Sequence, residues 1–178
     1  MPSKKNDSGI PGIKTVAGPV FAMALCSALA IGEAHADDAC GPFSGTYLIT
    51  VLNSDGSFAS RQLLTLTQDG NVVVDDSAQG GVTGVFNPFS TAQGTWQCES
   101  GFSPIRADAT ALDFTFPGSV PGGQNIGRTD YEITFHIVSK TISGTSDLRF
   151  FPLNGNPLMT PLPSPNASFT FTGVRVKS

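Results

Sequence analysis

Histidine and cysteine are scarce in this chain, with two histidines and three cysteines among its 178 residues. His35 and Cys26 lie in the N-terminal segment treated next, which leaves His136, Cys40 and Cys98. One histidine and a pair of cysteines cannot supply the three or four ligands of a zinc or copper centre. A histidine-based triad also needs a positioned nucleophile and an orienting acid, and no Gly-x-Ser-x-Gly turn exists. No catalytic residue, metal or cofactor is therefore expected. Charge is sparse too, at 13% of residues. After residue 36 the chain has seven basic and twelve acidic residues, a formal charge of −5, with the basic ones scattered singly. That distribution excludes nucleic acid and anionic membrane surfaces as partners. Helical spacing of apolar residues is missing from the same region. Neither Gly80–Gly84 nor Gly122-Gly123 both follows a strand and opens a helix, so they are not phosphate loops. Asp75-Asp76 alternate on a strand and cannot act as a carboxylate pair.

What is present at the N-terminus is a basic segment (Lys4, Lys5, Lys14), an apolar stretch from Thr15 to Gly32, and Ala34-His35-Ala36. This is the order of a secretory signal, with small residues at −3 and −1 of a cut after Ala36. The apolar stretch is short for a membrane span and is broken by Gly18-Pro19, so no stable membrane insertion is expected. An uncleaved anchor is the alternative. The expectation is a leader over residues 1–36, one domain over residues 37–178, and a secreted or periplasmic location. In an oxidising compartment Cys40 and Cys98 read as one disulfide, with two buried free thiols as the alternative.

Short runs rich in Val, Ile, Thr, Phe and Tyr alternate with turn clusters through the rest of the chain. They fall at Gly45–Leu52, Phe58–Thr67, Asn71–Ser77, Thr91–Cys98, Ile105–Phe116, Arg128–Val138, Lys140–Phe151 and Ala167–Lys177. Asp55-Gly56 and Asp69-Gly70 supply the turn chemistry of tight hairpins. Asn154–Asn166 holds four prolines and cannot be a central strand. Alternation is clearest where Tyr131, Ile133, Phe135 and Ile137 face one way and Asp130, Glu132, Thr134 and His136 the other. The same reading places Leu112, Phe114 and Phe116 on an inner face. The polar face carrying Arg128, Asp130, Glu132 and His136 is expected outside, since burying four ionisable groups in a small barrel is costly. Eight sequential strands with mostly short turns predict an all-β, antiparallel up-and-down barrel of about eight strands, closed so that no edge is left bare.

Three motifs in order carry a resemblance to the lipocalins and the wider calycin barrels. Gly45-Thr46-Tyr47 is similar to the family's Gly-x-Trp, Thr129-Asp130-Tyr131 to its Thr-Asp-Tyr, and Arg175 to the last-strand arginine that packs across the first-strand aromatic. The tight turn Asn53–Gly56 stands where those proteins have a long lid loop, and Cys40 precedes the first strand. The compact allene oxide cyclase-like barrels are a second resemblance, of architecture alone. The resemblance implies an exported barrel holding a small apolar molecule. The expected lining is Tyr47, Ile49, Leu64, Trp96, Phe114, Tyr131, Ile133 and Phe135. An isomerase or cyclase acting on an apolar substrate, and a solid structural barrel filled by its twelve phenylalanines, are the rival readings. Homo-oligomerisation is left open.

Overall fold

Period-two alternation along eight consecutive segments produces eight antiparallel strands, each hydrogen-bonded to the next, with the last closing on the first. The computed structural model describes residues 38–99, 103–121 and 124–177. The expected leader lies outside the described residues. The strands are β1 (Gly45–Asn53), β2 (Phe58–Leu66), β3 (Asn71–Asp76), β4 (Ala92–Glu99), β5 (Ile105–Phe114), β6 (Asn125–His136), β7 (Thr141–Pro152) and β8 (Ala167–Arg175). Closure leaves every strand paired on both sides, which removes the exposed edge that an open meander would present.

The barrel has a solid end and a hollow end. At the solid end Ile49, Leu64, Leu66, Val72, Trp96, Ile133, Phe135, Ile142 and Phe171 fill the interior, each at most 4% exposed. A short 3-10 helix, Asp38–Phe43, closes this end. Phe43 stacks on Phe135 with ring centroids 4.7 Å apart. The Tyr47 hydroxyl donates to the Phe43 carbonyl at 2.7 Å, so the one buried phenol here finds its partner in the plug. Cys40 and Cys98 form the disulfide, 58 residues apart, joining the helix to the end of β4. Such a link restricts the unfolded chain and contributes about 2–4 kcal/mol. Tyr47 and Arg175 are cross-strand neighbours of β1 and β8. The guanidinium of Arg175 donates to the carbonyls of Pro42 (2.9 Å) and Ser44. The arginine thus holds the segment that enters β1.

The reading of β5 is corrected. Its inward side chains are Ala107, Ala109, Ala111 and Asp113, at most 9% exposed, whereas Phe114 and Phe116 are 52% and 46% exposed and face out. The physical reason is volume: large inward side chains on the other strands leave room for only a methyl group along this one. The charged face of β6 does lie outside. Asp130 bridges Arg128 at 2.7 Å and Arg149 at 2.9 Å. The same arginines donate to the carbonyls of Pro157 and Pro163, pinning the proline-rich segment after β7 against the wall. Glu132 stands apart from this cluster and is exposed. Glu132→Ala should therefore shift the unfolding free energy by less than about 0.5 kcal/mol, as judged by urea denaturation.

Candidate binding cavity

The hollow end is a cavity of about 660 Å³ bordered by residues from all eight strands. Its mouth is apolar. Phe58 of β2, Phe150 of β7, Phe169 of β8 and Val85, Phe86 and Phe89 of the β3–β4 loop surround it. Across the mouth the β5–β6 loop contributes Val120 and Pro121. These two loops are laced together, because the Asn87 side chain both donates to the Val120 carbonyl and accepts from its amide, each at 2.9 Å. Gly80–Gly84 thus belongs to a mouth loop, while Gly122-Gly123 lies outside the described residues.

The floor is polar, and its hydrogen bonds run in one direction. Asp76, the inward member of Asp75-Asp76, accepts from the Ser60 hydroxyl (2.8 Å), the Gln62 Nε2 (2.7 Å) and the Ala78 amide (2.7 Å). Turning the Gln62 amide over would set its oxygen against that carboxylate, so its orientation is fixed by repulsion. Gln62 Oε1 then faces Tyr131, whose hydroxyl must donate to it, at 3.3 Å. Tyr131 also meets Phe171 edge-on with centroids 6.0 Å apart, and this pair separates the solid core from the cavity. Burial, aided by the charges of Asp76 and Asp113, raises the Tyr131 phenol above its ordinary value, so it keeps its proton.

Asp113 completes the floor. It is 9% exposed, and its Oδ1 has no hydrogen-bond partner. That oxygen lies beside Gly127 of β6, 2.2 Å from where a Cβ would stand, so any larger residue there would displace the carboxylate. Burial pushes the Asp113 carboxyl up to about 6, the Gly127 amide opposes the shift, and the negative charge of Asp76 adds to it. Among the described residues bordering the cavity the titratable groups are Asp76, Asp113 and Tyr131, and none is basic.

Of the residues expected to line a ligand site, Tyr131 borders this cavity. Tyr47, Ile49, Leu64, Trp96, Ile133 and Phe135 point inward at the solid end and are packed together there. Phe114 faces outward. The indole of Trp96 donates to the Thr67 carbonyl at 2.8 Å, a partner within the end structure rather than the cavity. His136 is exposed and bonded to Ser143 at 2.8 Å. Ser60, Gln62, Asp76 and Asp113 are absent from the expected lining, because that expectation takes the inner face from apolar residues alone and alternation does not say which polar side chains point inward. One signal was available. Ala107, Ala109, Ala111 and Asp113 share parity, and a run of alanines marks an inner face opposite bulky neighbours as well as an outer one.

Comparison with protein-family models, with curated proteins and with solved structures finds no match to this chain.

Proposed function

We propose that this protein binds a small, largely apolar molecule inside the hollow end of its barrel, as an exported carrier or sensor. The carrying observation is the cavity of about 660 Å³ with an apolar mouth over a few convergent polar groups. That is the size and composition of small-molecule sites, and it argues against a barrel solid throughout. An enzymatic reading has one supporting feature, a carboxyl lifted to about 6 in a cavity beside a tyrosine. A tyrosine that stabilises a developing oxyanion, however, needs a proton free to offer. Tyr131 gives its proton to Gln62, so binding is the better account.

The test is titration of the folded protein with prodan, a neutral fluorophore sensitive to polarity. Saturable micromolar binding with a blue-shifted emission is expected. Ala92 lines the cavity from β4, and Ala92→Trp should abolish binding by occupying it. Fluorescence unchanged by wild-type protein, with the fold intact by circular dichroism, would refute the reading.

A further inference from the structure

The direction of the hydrogen bonds at the cavity floor says what kind of ligand fits. The hydroxyl hydrogens of Ser60 and Tyr131 are committed, to Asp76 and to Gln62, and Gln62 gives one of its two amide hydrogens to Asp76. What these groups leave toward the cavity is mostly lone pairs, with one N–H of Gln62 beside them. Asp113 adds a second carboxylate to the lining; the residue is 9% exposed, its Oδ1 is enclosed beside Gly127 without a hydrogen-bond partner, and no cation borders the same space. The hydroxyls of Thr129 and Ser146 border the cavity too, and a hydroxyl can turn to give or accept. A floor dominated by acceptors with two carboxylates repels anions. It offers an acceptor-only group, such as the prodan carbonyl, few donors beyond the Thr129 and Ser146 hydroxyls, so that probe is held chiefly by the apolar mouth.

Resting on the reading of the cavity as a ligand site, we propose that the molecule it takes is a small apolar amine, held by its ammonium group against the carboxylate of Asp113 and the oxygen of Tyr131. An ammonium brings only donors, which is the complement of this floor, and charge-assisted hydrogen bonds are the strongest of their kind. The apolar mouth then covers the hydrocarbon part. The occupant also compensates the cost of a buried, incompletely bonded carboxylate.

Three probes of matched size separate the possibilities: 4-phenylbutylamine, 4-phenylbutanol and 4-phenylbutyrate, each measured by displacement of bound prodan from the full protein. The amine should bind at least tenfold more tightly than the alcohol, and the carboxylate should fail to compete. Asp113→Asn should weaken the amine tenfold or more and leave the alcohol unchanged. In wild-type protein the amine's affinity should fall about tenfold from pH 7.5 to pH 5, while the amine itself stays protonated. This follows because Asp113, faced only by Asp76 of β3 and Tyr131 of β6 among titratable groups, takes up a proton over that range and leaves less of the binding-competent form. Equal affinities for amine and alcohol, or preference for the carboxylate, would overturn the amine assignment while leaving the cavity as a site. Amine binding that ignores both Asp113→Asn and pH would overturn it as well. Absence of prodan binding in the first place would instead defeat the reading on which it rests.

Discussion

Gly144→Ala should lower the unfolding free energy by about 3–5 kcal/mol, and Gly144→Val should prevent the barrel from closing. Strand propensity alone predicts the opposite sign, because both replacements lose less backbone entropy than glycine and valine favours strands by up to about 1 kcal/mol. The packing decides otherwise. Gly144 sits inward on β7 opposite Ile133, between Ile142 and Ser146. A Cβ there would stand 1.9 Å from the Glu132 carbonyl oxygen and 2.7 Å from Phe171 Cζ. The first contact is with backbone, which can give way only if β6 and β7 move apart and break ladder hydrogen bonds. The second is with a ring that is 2% exposed and has nowhere to turn. Overpacking of an ordinary core costs about 1–3 kcal/mol, and displacing backbone as well takes this position above that range. Thr145→Ala, one residue along and exposed, provides the control and should change little. Urea denaturation followed by near-ultraviolet circular dichroism measures both. A Gly144→Ala protein as stable as wild type would mean that β6 and β7 do not approach this closely.

The same position bears on the site. Phe171 meets Tyr131, and Tyr131 bonds to Gln62, so a side chain forced in at 144 pushes on the wall between the solid and hollow ends. Folding and binding share this partition.

Much of the fold was legible in the sequence. Eight strands were read within a few residues of their ends, since Asp-Gly turns and proline clusters mark where ladders stop. The disulfide followed from the two cysteines beyond the expected leader, and the outer placement of Asp130 and Glu132 followed from alternation beside Tyr131 and Ile133. The face of β5 was inverted because period two fixes that the faces alternate and not which one is inside. Leu112, Phe114 and Phe116 are more hydrophobic than Ala107, Ala109 and Ala111, yet volume rather than hydrophobicity decides which set fits a narrow interior. The division of the barrel into a filled end and an empty end was not legible. It depends on which layers across eight strands carry large side chains together, and that requires the register. Asp113 is hidden by the same inversion, and Asp76 because alternation puts Asp75 and Asp76 on opposite faces without saying which of the two is inside.

Asp113→Asn should make the unliganded protein more stable at neutral pH and flatten its stability between pH 4 and pH 7. In the folded protein the Asp113 carboxyl sits at about 6, against an ordinary value of 3.8. A carboxyl raised on folding binds its proton more tightly in the native state than in the unfolded one. Its favourable contribution is complete below about pH 4 and is lost as pH rises through about 6. The difference of about two units corresponds to roughly 3 kcal/mol at pH 7 and above, an upper bound because the unfolded chain and local rearrangement both reduce it. Asparagine keeps the shape, does not titrate, and removes the charge that Asp76 and burial oppose. Wild type and variant should therefore agree within about 0.5 kcal/mol at pH 4 and diverge by about 1–3 kcal/mol at pH 8, with the variant ahead. Urea midpoints across this range, at constant ionic strength and without amine, provide the measurement. An amine in excess should narrow the gap at pH 8, since it stabilises the protein whose carboxylate it can meet more than the variant that binds it less tightly. If instead Asp113→Asn is destabilised at every pH, the carboxylate is holding the barrel together. In that event the orphaned oxygen beside Gly127 has a structural partner, and the floor of the cavity is complete without a ligand.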